Sequence, residues 1–108
     1  MNKNVVIIGT LDTKGPEIAY LRDRIQELGL TTTVVDAGIL GEPLEIVPDI
    51  SRAEAATYAG TTIEALRNAG SRGKAVHGMR DALKVLTLEL YTTGKLQAIT
   101  CMGGAEGA

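Results

Sequence analysis

Val5-Val6-Ile7-Ile8-Gly9-Thr10-Leu11-Asp12-Thr13-Lys14-Gly15-Pro16-Glu17-Ile18 is the stretch that decides the fold of this chain. It opens with a continuous β-branched run that stops at a glycine. Continuous rather than alternating hydrophobicity marks a strand buried on both faces, as in a parallel sheet. Thr10 to Gly15 then read as a polar turn. Pro16 suits the first turn of a helix, where its missing N–H is not needed. Ile18, Leu21, Ile25 and Leu28 recur at three- and four-residue steps and so share one helical face, and Gly29 supplies the stop. Thr31 to Val35, ending in Asp36, reads as a second strand. The whole has the ~30-residue size of a strand–helix–strand unit.

Outward from this unit, residues 37–50 form a long connection holding Gly38, Gly41, Pro43 and Pro48. A connection of that length without regular structure is often functional. Ser51-Arg52-Ala53-Glu54 and Thr61-Thr62-Ile63-Glu64 both fit a capping box, in which a hydroxyl and a Glu satisfy opposite orphan N–H groups. Two short helices are therefore expected, separated by Gly60, with a break at Ala69-Gly70-Ser71. A longer helix is expected over 73–92, with Val76, Met79, Leu83, Leu86 and Leu90 as its apolar face. Gly94 ends it, and Leu96 to Cys101 reads as a third strand. Parallel crossovers are right-handed in nearly all cases. With strand 1 central, the first helix covers one face, the later helices cover the other, and the strand order is 2-1-3. The expected architecture is α/β: a three-layer, Rossmann-like unit with a short parallel sheet. It reads as an incomplete doubly wound domain, partial over 1–108.

Composition bounds the function. Of 108 residues, 44% are hydrophobic and 22% charged, a globular balance. With no Trp and no Phe, the core must be aliphatic. A formal charge of -2 without a basic block argues against a nucleic-acid surface. No apolar run approaches the ~20 residues of a membrane helix, and Met1-Asn2-Lys3-Asn4 leads into a strand rather than a signal peptide. Cys101 is the single cysteine and has no internal disulfide partner. Together these point to a cytoplasmic protein. One His and one Cys cannot supply a metal-ligand set.

In sheets of this order, ligands bind at the carboxyl ends of the strands, at the switch point between strands 1 and 3. The loops placed there are 10–15 and 102–107. A glycine-bearing turn into a helix offers backbone N–H groups to an anion, the helix dipole helps, and Lys14 can reach a phosphate. The order Gly, four residues, Lys, Gly departs from both the P-loop and the G-x-G-x-x-G patterns. An ordinary turn with a solvated Lys14 and a structural Gly15 is the alternative. Asp12 can hold magnesium through water or orient a hydroxyl; it can also be a plain helix cap. Asp36 follows Gly15 by 21 residues, the place where dinucleotide folds set an acidic residue against ribose; it can equally be a turn aspartate. Gly103-Gly104-Ala105-Glu106-Gly107 follows strand 3. Its glycines allow close approach to a phosphate, Glu106 opposes one, and an untied tail is the alternative. His77 is read as solvated, beside Gly73, Asp81 and Lys84, and Cys101 as a small core residue.

With these residues in view, the chain resembles the N-terminal part of the Tm-1-like ATP-binding family, named for a tomato mosaic virus resistance protein. Gly9-Thr10-Leu11-Asp12-Thr13-Lys14-Gly15-Pro16-Glu17 and Asp36-Ala37-Gly38-Ile39-Leu40-Gly41 carry the resemblance. Pro48-Asp49-Ile50-Ser51-Arg52, Arg72-Gly73-Lys74-Ala75 and Gly103-Gly104 complete it. It implies ATP binding by the strand-end loops, at Thr10, Asp12, Thr13, Lys14, Gly103 and Gly104. It also implies a longer protein, with more strands and a barrel-like second domain. The family's last loop reads like Gly-Gly-Ser-Gly-Gly-Thr; here Ala105, Glu106 and Ala108 remove two hydroxyls and a glycine and add a negative charge.

The expectation is nucleotide binding, with ATP as ligand, with or without magnesium, by one part of a larger protein. Thr10, Leu11, Asp12, Thr13, Lys14, Gly15, Asp36, Gly103 and Gly104 are the site. Two other readings stand beside it: an assembly module joining subunits through an open sheet edge, and a small enzyme handling a phosphorylated metabolite. A homo-oligomer or a missing C-terminal portion is expected, and no catalytic residue is assigned.

Overall fold

The computed structural model describes residues 3–39, 41–43, 46–68 and 70–102. In chain order the elements are β1 (Asn4–Gly9), α1 (Leu11–Glu27), β2 (Thr31–Asp36), α2 (Arg52–Thr57), α3 (Ile63–Arg67), α4 (Arg72–Thr92) and β3 (Ala98–Met102). The strands form one parallel sheet in the order β2-β1-β3, as the sequence predicts. Gly9 pairs with Asp36 on one side and with Met102 on the other, so the three carboxyl ends lie level.

Successive side chains of a strand point to opposite faces, and the core divides accordingly. Val5, Ile7 and Val34 pack with Leu11 and Ile18 of α1 and with Ile46 of the long connection. Val6, Ile8 and Val35 face Ala55 and Ala56 of α2, Ile63 and Leu66 of α3, and Met79, Ala82, Leu86 and Leu90 of α4. Each fully buried Val, Leu or Ile contributes about 1.5–3 kcal/mol, so both layers are needed to hold so small a sheet.

Several local expectations are corrected. The segment Thr10–Gly15 is not an open turn, because α1 begins at Leu11. The amides of Thr13 and Lys14 donate to the Thr10 carbonyl at 3.1 and 2.8 Å. The helix kinks at Lys14, which has φ -119° and ψ 17°. Pro16 has no N–H for the Asp12 carbonyl, so the ladder is interrupted there. Leu28 is 78% exposed rather than on the apolar face, since α1 ends at Glu27 and Gly29, at φ +85°, turns the chain away. α3 is capped by Thr62, whose hydroxyl accepts from the Ala65 amide at 3.1 Å, and not by Thr61. Ser51 caps α2 through the Glu54 amide at 3.1 Å, as expected. Strand 3 begins at Ala98 rather than Leu96.

The two sheet edges differ. Asp49 and Ile50 run along the outer edge of β2. Ile50 exchanges bonds with β2, its carbonyl accepting from Asp36 N and its amide donating to Val34 O, both at 3.0 Å. The Asp49 carboxylate takes the Val34 amide at 2.7 Å. The free edge of β3 has no such cover among the described residues. Cys101, expected in the core, is exposed. It lies in register with Ile8, yet α4 packs against α2 and α3 and leaves this end of the face uncovered.

Candidate functional site

The carboxyl ends of β1 and β2 are organised by Asp36, which is 1% exposed. Its Oδ1 accepts from the Gly38 amide at 2.8 Å and the Leu11 amide at 3.4 Å. Its Oδ2 accepts from Arg52 Nε at 2.8 Å. One carboxylate therefore fastens the start of α1, the turn after β2 and the start of α2. The residue expected to face ribose turns inward, and its acceptors are used by the fold.

Arg52 is the first residue of α2 and is 7% exposed. Only its Nε is bonded; Nη1 and Nη2 are buried without a partner. A guanidinium carries five N–H donors, so most of its hydrogen-bonding capacity is unused. Asp12 reaches the same place. Its Oδ2 accepts from the Gly41 amide at 3.3 Å, while Oδ1 is buried without a partner. Gly38 separates these groups. A Cβ on Gly38 would stand 2.7 Å from Arg52 Nη2, 2.9 Å from Asp12 Oδ1 and 3.0 Å from Asp36 Oδ1. Glycine is required at this position by that close approach, and an unpartnered donor and an unpartnered acceptor flank it.

The other predicted residues lie around this cluster. Leu11 is fully buried, and Gly15 is buried behind the kink. The Thr10 and Thr13 hydroxyls bond each other at 2.8 Å. Lys14 stands on the rim, 3.8 Å from Glu17, with its side chain 37% exposed. The amides of Leu11, Thr13 and Lys14 already have acceptors within the protein. Gly103 and Gly104 lie outside the described residues, as does Glu106. Asp12 and Asp36 thus come together, and with them Arg52, which sequence reasoning did not assign. A signal was present: a cation on the first turn of a helix runs against the helix dipole, and Ser51-Arg52 closes the long connection.

His77 is remote from the cluster, on the exposed face of α4, 3.8 Å from Asp81. Among the described residues, no group of three or more His, Cys, Asp or Glu could hold a metal ion. No helix among them is long and apolar enough to cross a membrane.

Comparison with known proteins gives the family. Residues 3–108 match the family described as uncharacterised protein family UPF0261, N-terminal domain. A UPF0261 protein of Clostridium tetani is 36% identical over 107 residues, covering 99% of this chain and 26% of that protein. UPF0261 proteins of Brucella suis and Brucella melitensis are each 31% identical over 103 residues, covering 95% of this chain and 24% of theirs. The chain spans about a quarter of the length of these curated relatives. No solved structure matches it. These matches overturn the resemblance to the Tm-1-like ATP-binding family: the stretches from Gly9 to Glu17 and from Asp36 to Gly41 fall within a UPF0261 match that runs nearly the whole chain. On that match and on these relatives, the chain belongs to the UPF0261 family.

Proposed function

We propose that this chain is the nucleotide-binding part of a larger protein and takes ATP across the carboxyl ends of β1 and β2. The observation that carries this reading is the pair of unpartnered buried groups there, Arg52 Nη1/Nη2 and Asp12 Oδ1. Leaving a buried polar group unsatisfied costs about 1–3 kcal/mol, and more for a charged one. Native structures hold few such groups, and each calls for an explanation. Here they sit at the carboxyl ends of β1 and β2, on the side of the sheet where open α/β folds bind ligands and next to the β1/β3 switch point.

The helical first turn of α1 changes how a phosphate would be held. Because the amides of Leu11, Thr13 and Lys14 are taken, the contact falls mainly to side chains: the ammonium of Lys14 and the hydroxyls of Thr10 and Thr13. A charge-assisted bond of this kind is worth roughly 1.5–3 kcal/mol. Magnesium would arrive with the nucleotide, bound to its phosphates. No reaction is assigned to this part of the protein.

Calorimetry with ATP tests the reading. The 108-residue chain is expected to bind with a dissociation constant on the order of 0.1–1 mM, and Lys14→Ala is expected to weaken this about tenfold. Absence of binding at millimolar ATP, or equal affinity of the two proteins, contradicts it.

A further inference from the structure

We propose that Asp12 and Arg52 form the sugar subsite of this site, gripping a ribose hydroxyl, while Asp36 acts only as a positioning residue behind Arg52. The inference rests on the nucleotide reading and deepens it. Asp36 stands where a ribose-binding carboxylate is expected, but its Oδ1 takes two amides and its Oδ2 takes Arg52 Nε. The acceptor left over belongs to Asp12 and the donors left over belong to Arg52. Arg52 Nη2 and Asp12 Oδ1 both lie within 3 Å of the point that a Gly38 Cβ would occupy. They are not bonded to each other. The group that completes them must accept from a guanidinium and donate to a carboxylate. A hydroxyl does both with one oxygen.

Charge separates a hydroxyl from a phosphate. Asp12 and Asp36 with one arginine leave the cluster one negative charge in excess. A bare phosphate pushed against Asp12 Oδ1 meets repulsion, whereas a neutral hydroxyl meets none. The phosphates belong instead on the Lys14 side, where the cation is 37% exposed. Gly38 and Gly41 pack closely against these groups, a Cβ on Gly41 standing 3.0 Å from Asp12 Cβ, so a hydroxyl reaches them only as the turn over Asp12 yields. That turn is held on Asp12 by a single long bond, the Gly41 amide donating to Oδ2 at 3.3 Å, which leaves Oδ1 to the sugar.

The test compares ATP, 2′,3′-dideoxy-ATP and D-ribose 5-phosphate on the chain by calorimetry, with the Arg52 Nε–H and Asp12 carboxyl signals followed by NMR. Gly38→Ala is the companion variant: it keeps every charge and places a methyl group between Arg52 Nη2 and Asp12 Oδ1. Wild type is expected to bind ATP at least about tenfold more tightly than the dideoxy analogue, with both signals shifting only for the hydroxylated ligand. In Gly38→Ala the two nucleotides should bind alike. Equal affinity of wild type for ATP and the analogue overturns the sugar subsite and leaves the nucleotide reading standing. Ribose 5-phosphate that moves both signals and binds as tightly as ATP keeps the subsite and removes the nucleotide reading. Absence of calorimetric binding by all three overturns both.

Discussion

Asp36 ties three parts of the fold together through one buried carboxylate. It accepts from α1, from the turn after β2 and from α2, and it neutralises Arg52 inside the protein. Removing one member of a buried ion pair leaves an uncompensated charge and typically costs about 3–5 kcal/mol. Asp36→Ala should therefore lower the unfolding free energy by about that amount in urea titrations, and a loss below about 1 kcal/mol would contradict the role given to it. The position of Asp36 at a strand end was legible in the sequence. Its burial was not, because its partner lies across a connection with no periodicity to read. Tyr58 supplies a pH-dependent counterpart. A hydrogen bond to Glu89, with burial and the charges of Glu89 and Glu54 behind it, raises its pKa above the ordinary 10.0. A folded-state value above the unfolded one means that this stabilisation is fully present below pH 10 and is lost as pH rises through the higher value. Tyr58→Phe should flatten the alkaline limb of a stability–pH curve; an unchanged limb would rule the contact out.

At the scale of elements, capping explains both what the sequence announces and where it misleads. The hydroxyl–x–x–Glu spacing points to Thr61, but adjacent threonines leave the frame open. Burial of Ile63 and Leu66 fixes the helix one residue later, with Thr62 as cap. Thr62→Ala should cost about 1 kcal/mol of stability, and Thr61→Ala only a few tenths; the reverse order in thermal melts would restore the frame first expected. α1 is the harder case. Pro16 suggests a helix start, yet the helix begins five residues earlier. Thr10 makes no side-chain cap, and the free Leu11 amide is taken by Asp36 from another strand. A cap supplied by tertiary contact leaves no local pattern, which is why this turn reads as a loop.

For the whole molecule, the order β2-β1-β3 follows from β-branched runs and right-handed crossovers, so this much was visible in the sequence. The asymmetry of its edges was only partly so. Asp49 and Ile50 cover β2, while β3 carries Ile99 at 47% exposure and α4 carries Val85, Leu88 and Tyr91 at 49%, 63% and 66%. Open edges and apolar patches of this kind promote association. We propose that the chain self-associates: light scattering at roughly 100 μM should show dimers or larger species, and Ile99→Lys should shift them toward monomer. A clean monomer at that concentration would contradict this. Nucleotide binding at the carboxyl ends of β1 and β2 is open to an ¹⁵N–¹H chemical-shift titration with ATP. Shifts are expected at residues 10–15, at Gly38 and at the Arg52 side chain, saturating near millimolar ATP; shifts confined to the outer face of α4 around His77, or none at all, would contradict nucleotide binding there.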